Sequence, residues 1–205
     1  MAWSAAINTH NGLSRTNHRR SLPDVRVVAG DLRGRRIEAP VTDATRPTTD
    51  KVREAVFNAL GSLGVVEGAR IVDLFAGTGA MGIEALSRGA DHCVFVEKDR
   101  AALGVLRSNV KNLDLEARAT VVSGDAEHIA AQQRDVDVLI ADPPYGFNDW
   151  ASLLEGVEAG LVVLESDRPV GDIAGWDTVR EKKYGRTFVA FLQRAEGPGG
   201  TVEGE

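Results

Sequence analysis

Arg70-Ile71-Val72-Asp73-Leu74-Phe75-Ala76-Gly77-Thr78-Gly79-Ala80-Met81-Gly82 is the stretch whose reading decides the fold. Its first six residues form a short apolar run, the pattern of a buried strand. Gly77, Gly79 and Gly82 then fit G-x-G-x-x-G, and Ile83-Glu84-Ala85-Leu86-Ser87-Arg88 continues as a helix. Small residues at a strand-to-helix turn let backbone approach a ligand closely and let helix pack on strand. His92-Cys93-Val94-Phe95-Val96 reads as a second strand and ends in Glu97. A carboxylate at that tip can accept both hydroxyls of a ribose. Strand, loop, helix, strand and acid in this order predict an α/β fold with a site for an adenosine-bearing ligand.

NAD and S-adenosylmethionine both carry adenosine, so Glu97 does not separate them. Asp73 does. An acid at the end of the first strand suits the cationic amino-acid end of S-adenosylmethionine, whereas a pyrophosphate prefers N–H donors and a helix N-terminus. A third strand, Ala119-Thr120-Val121-Val122-Ser123, ends in Gly124-Asp125-Ala126. Asp125 suits either of two roles, acceptor for the adenine amino group or N-cap of a helix over residues 126 to 131.

The second informative segment is Asp142-Pro143-Pro144-Tyr145, directly after the apolar run Val136-Asp137-Val138-Leu139-Ile140-Ala141. The carboxyl ends of strands are where ligands bind in open α/β sheets. The residue types suit attack by an exocyclic base nitrogen on a methyl donor. Such an amine is a poor nucleophile because its lone pair is delocalised into the ring. The Asp142 carboxylate and the Pro143 carbonyl, on a segment stiffened by proline, can hold its hydrogens. Tyr145 offers a ring on which an unstacked base can lie. Asp-Pro-Pro is also a common way to end a strand and begin a loop.

Asp73-Leu74-Phe75-Ala76-Gly77-Thr78-Gly79, Glu97, Gly124-Asp125-Ala126 and Asp142-Pro143-Pro144-Tyr145 together resemble the successive motifs of class I methyltransferases acting on amino nitrogens. Val28-Ala29-Gly30, Gly34-Arg35-Arg36, the run Thr45-Arg46-Pro47-Thr48-Thr49-Asp50-Lys51-Val52-Arg53-Glu54, and Tyr184-Gly185-Arg186-Thr187 narrow this. They resemble the RsmD family of bacterial 16S rRNA guanine-N2 methyltransferases over residues 25 to 194. The resemblance implies a Rossmann-like, seven-stranded, mostly parallel sheet with an antiparallel last strand, plus an N-terminal β-hairpin. It implies S-adenosylmethionine as cofactor and guanine-966 of 16S rRNA as substrate, within the small ribosomal subunit or an assembly intermediate. Asp142, Pro143 and Tyr145 are then the catalytic candidates. The cofactor falls to Asp73, Phe75, Ala76, Gly77, Thr78, Gly79, Gly82, Glu97, Lys98, Asp125 and Ala126, with Thr48, Asp50 and Phe57 at the mouth. Asp50 also reads as a helix cap and Phe57 as a core aromatic. Phe147 and Trp150 form a lid or pack beneath one. RNA contacts fall to Arg33, Arg35, Arg36 and Arg46.

The net charge of −6 is unexpected for a protein that binds RNA, but its distribution is uneven. Residues 1 to 36 hold seven arginines against two aspartates, a charge of +5, which leaves −11 for the remainder. A basic arm on an acidic body points to local phosphate contact. The lone cysteine, Cys93, in a strand excludes a disulfide framework and reads as core packing. His10, His18, His92 and His128 are scattered, so no metal site is expected. No apolar run reaches the length of a membrane span and no secretory h-region is visible, so a cytoplasmic location is expected; a monomer is expected as well.

The chain divides into residues 1 to 23 and 195 to 205, which read as disordered, a hairpin and helix over 24 to 60, and the methyltransferase domain over 61 to 194. Residues 25 to 29 and 35 to 39 are expected to pair across a turn. Helices are expected over 50 to 60, 99 to 112 and 150 to 157, a strand over 161 to 164, and a closing hairpin over 178 to 193. Three other readings have sequence support. Methylation of DNA adenine-N6 or cytosine-N4 uses the same Asp-Pro-Pro-Tyr chemistry, but no separate target-reading domain is present. An NAD-dependent oxidoreductase rests on the glycines alone. A non-catalytic RNA-binding assembly factor leaves an intact cofactor pocket without a purpose.

Overall fold

A computed structural model describes residues 25–39 and 50–196. The chain starts with a two-stranded hairpin, β1 (Val25–Arg26) and β2 (Arg36–Ile37), and helix α1 (Asp50–Ser62). Strands and helices then alternate: β3 (Arg70–Leu74), α2 (Ala80–Ser87), β4 (His92–Glu97), α3 (Arg100–Asn112), β5 (Ala119–Ser123), α4 (Ala126–Ala130), β6 (Val136–Ala141), α5 (Trp150–Leu154) and β7 (Ala159–Ser166). β8 (Trp176–Tyr184) and β9 (Thr187–Arg194) close the sheet as a hairpin. This is the expected α/β class I architecture.

The sheet order is β5-β4-β3-β6-β7-β9-β8. β3 to β7 run parallel, and β9 is antiparallel to both of its neighbours. The order reverses between β3 and β6: the chain first winds outward to β5, then returns to lay β6 against β3. The crevice at that reversal is where doubly wound sheets bind ligands. It brings the glycine loop after β3 and the Asp142 loop after β6 side by side.

Strands buried on both faces read as continuous apolar runs. Ile71, Ile140, Val163 and Phe191 pack on one face with the hairpin, α1 and α2. Val72, Leu74, Leu139 and Val162 pack on the other with α4 and α5. Val52, Val56, Phe57 and Leu60 form the expected buried stripe of α1, and Cys93 is a buried free thiol.

Two expected elements are shorter than predicted. The hairpin pairs only Val25 with Ile37 and Arg26 with Arg36. Val28 and Ala29 donate their N–H groups to Glu84 of α2 (2.8 and 3.0 Å) instead of to a partner strand. Asp31 N and Leu32 N donate to the Ser87 carbonyl and hydroxyl, so residues 28 to 32 are sewn onto α2. Gly30 lies so close that an added Cβ would fall 1.8 Å from Ser87 O. The fifth helix stops at Leu154 rather than 157, because Glu155 is extended and Gly156 turns to φ 68°. The strand expected over 161 to 164 is longer, spanning Ala159–Ser166.

Candidate active site

Register places the catalytic candidates. Ala141 pairs with Leu74 on one side and Leu164 on the other, so Asp142 emerges at the carboxyl rim between Phe75 and Glu165. Phe75 has a left-handed backbone, φ 59°, a costly conformation for a bulky residue that marks a sharp turn out of β3. Its ring meets Phe147 edge-on at 5.6 Å, and Phe147 meets Trp150 at 4.8 Å. Trp150 is buried, so this aromatic stack packs under the rim. Tyr145 projects from it and is 58 % exposed.

The three glycines of the loop do different work. At Gly77 (φ 55°) an added Cβ would meet nothing nearer than Phe75 O at 3.9 Å, so its bare backbone faces open space. At Gly79 (φ 85°) and Gly82 a Cβ would collide with Leu106 Cδ1 at 2.5 Å and Phe95 Cε1 at 2.3 Å. These two allow α2 to sit on β4 and α3, and Gly77 alone is left for ligand approach. Gly77 N donates to Glu97 Oε2 (2.8 Å), while Lys98 N and Asp99 N donate to Oε1 (2.8 Å each). Glu97 is therefore held rigid at the tip of β4, with lone-pair capacity left for a further donor.

Asp73 lies beneath the loop, 2 % exposed, and its Oδ2 accepts from Gly82 N at 2.9 Å. Burial pushes its carboxyl up to about 7; the Gly82 N–H opposes this, and the charges of Asp142 and Glu97 add to it. The folded state thus favours neutral Asp73, while the unfolded chain ionises it near 3.8. Stability should fall as pH rises from about 4 through about 7 and level off above, with a slope of up to about 1.4 kcal/mol per pH unit from this group. Asp73→Asn keeps an oxygen for Gly82 and should flatten that slope in urea denaturation without added ligand. An unchanged slope would mean that Asp73 is ionised in the fold.

Asp125 caps α4 by accepting from Glu127 N (3.1 Å) and pairs with Lys98 Nζ (3.0 Å). The Lys98 hydrogen bond holds its carboxyl below the ordinary range. The capping role is therefore present, and the Lys98 pair bridges the ends of β4 and β5. Glu165 is a further acid beside the rim, outside the sequence motifs. It is 3 % exposed, and its Oε1 has no hydrogen-bond partner among the described residues. Burial pushes its carboxyl well above the usual range, Asp142 and Asp73 push it further, and Arg53 opposes them. Its signal was available: Leu161-Val162-Val163-Leu164 runs into an acid as Val94-Phe95-Val96 runs into Glu97.

The other candidates are spread. Phe57 is fully buried beneath Arg88, whose guanidinium lies 5.4 Å over the ring, so it belongs to the core and not to the mouth. Asp50 is exposed at the start of α1 and bonds Arg53 (2.8 Å). Arg33, Arg35 and Arg36 are exposed on the hairpin, and Arg35 donates to Asn112 O at the end of α3 (2.8 Å). Thr48 and Arg46 lie outside the described residues, as do the tail assignments for residues 1 to 23 and 197 to 205. Among the described residues no His, Cys, Asp or Glu group could hold a metal, and no helix is long and apolar enough to cross a membrane.

One family model, described as conserved hypothetical protein 95, matches residues 25–193. The chain belongs to that family. It is the RsmD family that the motifs resemble. Ribosomal RNA small subunit methyltransferase D of Escherichia coli K12 is 34 % identical over 193 residues, covering 89 % of this chain and 96 % of the relative. YlbH of Bacillus subtilis is 40 % identical over 187 residues, covering 83 % and 99 %. Among solved structures, YhhF of Escherichia coli superposes with a TM-score of 0.70 at 36 % identity, covering 83 % of this chain and 98 % of that one. The family's matched span takes in the hairpin, both rim loops and the closing β8–β9 hairpin.

Proposed function

We propose that the protein methylates the exocyclic N2 of a guanine in 16S rRNA of the small ribosomal subunit, guanine-966 by family resemblance, with S-adenosylmethionine as donor. The observation that carries this reading is the Asp142-Pro143-Pro144-Tyr145 loop emerging beside the open Gly77 backbone at the sheet's reversal. Asp142 and Glu97 bring negative charge to the same rim, close enough to act on the buried Asp73 carboxyl. That field suits a cationic sulfonium and ammonium ligand and opposes a pyrophosphate. Relatives named as rRNA methyltransferases support the RNA substrate.

When bound, S-adenosylmethionine supplies an activated methyl group on sulfur. Gly77 and Glu97 would hold it, with Asp125 near the adenine, while Asp73 braces the loop from beneath through the Gly82 N–H. The Asp142 carboxylate and the Pro143 carbonyl accept the two hydrogens of the guanine amino group and aim its lone pair, so that alignment supplies most of the acceleration. As nitrogen gains the methyl it sheds one proton, which the Asp142 carboxylate is placed to take. Burial pushes the neighbouring Glu165 carboxyl well above the usual range, which disfavours it as the acceptor of that proton.

Radiolabelled methyl transfer to small ribosomal subunits, naked 16S rRNA and duplex DNA, with the product nucleoside identified, tests this reading. N2-methylguanosine from RNA is expected. A methylated adenine or cytosine in DNA, or no transfer at all, would overturn it. Tyr145 should act through its ring: stacking offsets about 1–3 kcal/mol per base, so Tyr145→Ala should slow transfer by roughly tenfold. Tyr145→Phe should stay close to wild type. A phenylalanine variant as slow as alanine would assign the work to the hydroxyl.

A further inference from the structure

Among the described residues β8 ends the sheet, with β9 its single neighbour strand, and residues 177 to 183 are exposed throughout. Between 180 and 186 this edge carries Arg180, Lys182, Lys183 and Arg186 against one acid, Glu181, on a chain of net charge −6. Glu181 is turned to Val170 N (3.0 Å). Among the described residues no carboxylate forms an ion pair with Lys182, Lys183 or Arg186. Two of these cations lie over rings instead: Lys182 Nζ is 5.3 Å from the Tyr184 centroid and Lys183 Nζ 4.9 Å from that of Phe188. Cations interleaved with partly exposed rings suit single-stranded nucleic acid.

Register ties this cluster to the catalytic rim. Ser166 at the carboxyl end of β7 pairs with Phe188, so the Tyr184–Thr187 turn lies at the same end of the sheet as Asp142. Glu165 pairs with Val189, and Val189 with Lys182, in one row across the sheet. Asp142 lies next to Glu165, so the row runs from Asp142 to Lys182 over three strand spacings, about 14 Å.

Lysines on an edge strand also guard against edge-to-edge association. A guard can sit anywhere along an edge, whereas a grip on the substrate must sit at the rim. Here Trp176-Asp177-Thr178-Val179 carries no cation, and Val179 is 52 % exposed. The cations gather only at the rim, and one of them, Arg186, sits in the turn.

We propose that Lys182, Lys183 and Arg186 form a second RNA grip, holding the phosphates that flank the flipped base on the side of the site away from the N-terminal hairpin. The inference rests on the RNA-substrate reading and narrows it. With the full chain, binding of small ribosomal subunits and naked 16S rRNA is measured against salt for wild type and for K182Q/K183Q/R186Q. Each single-strand phosphate contact contributes about 0.7 to the slope of log affinity against log salt, so the slope should shrink by about 2. KM for RNA should rise about tenfold at moderate salt, with kcat at saturating RNA and S-adenosylmethionine binding unchanged. The charge-retaining K182R/K183R/R186K should stay near wild type, which separates lost charge from misfolding. An unchanged salt slope and KM, with the glutamine variant self-associating, would make this an edge guard and overturn the grip. Wild-type protein that binds RNA without methylating it would sink the enzymatic reading and leave the grip to be decided by the slopes. Wild-type protein that binds no RNA would sink both.

Discussion

Asp142→Ala is expected to lower kcat for methyl transfer by about a hundredfold or more, the scale seen when one preorganised polar group aimed at the reacting atoms is removed. Affinity for S-adenosylmethionine should stay within a few fold. The reason is the division of labour at the rim. Gly77 and Glu97 lie on the β3–β4 side, where an adenosine would sit. Asp142 emerges on the β6 side, between Phe75 and Glu165. Its loss leaves only the Pro143 carbonyl to orient the amino group. Asp142→Asn retains one acceptor oxygen and should keep more activity than alanine, while losing the ability to take a proton. Glu165 does not replace Asp142, because burial keeps its carboxyl protonated and so poor as an acceptor. Single-turnover rates and calorimetric titration of the cofactor together decide the matter. If Asp142→Ala loses cofactor affinity in proportion to rate, the carboxylate serves the donor and the assignment is wrong.

Much of this arrangement was legible in the chain because the signals are local. Apolar runs ending at Phe75, Glu97, Ser123 and Asp142 mark strand tips, and the glycine spacing marks the turn into α2. All five parallel strands appear where periodicity put them. What was not legible depends on side chains meeting across long separations. Arg53 reads as one more polar residue of an amphipathic helix, yet it is fully buried. Phe57 suits both the cofactor mouth and the core by sequence, and the packing of α1 under Arg88 assigns it to the core. The hairpin looked longer because alternation in residues 25 to 29 cannot reveal that Val28 and Ala29 give their N–H groups to a helix fifty-odd residues away. Glu165 is followed by Ser166-Asp167-Arg168-Pro169 rather than a glycine loop or an Asp-Pro-Pro run, so its place beside Asp142 follows from sheet order.

Glu84→Ala should be the most destabilising single change among the described residues outside the apolar core, costing about 3–5 kcal/mol, the usual penalty for leaving a buried charge unpaired. Glu84 is fully buried and meets four groups. Its carboxylate accepts from Val28 N at 2.8 Å, Ala29 N at 3.0 Å and Arg88 Nε at 2.7 Å, and lies 3.4 Å from Arg53 Nε. Arg53 is itself fully buried; its Nη2 bonds Asp50 and the Arg26 carbonyl, while Nε and Nη1 have no hydrogen-bond partner among the described residues. Truncating Glu84 therefore leaves a buried guanidinium short of its nearest buried counter-charge, and strands two backbone donors. Domains are stable by only about 5–15 kcal/mol in total, so the loss should move the thermal midpoint by about 10 °C. Glu84→Gln keeps the acceptor oxygen but not the charge, and should fall between wild type and alanine. The loss should be concentrated at the hairpin: hydrogen exchange at Val28 and Ala29 should speed up before that of the β3 and β6 amides. A urea midpoint within 1 kcal/mol of wild type by the m-value conversion would mean that Arg53 finds another partner, and that the hairpin is held by Gly30 and Ser87 alone.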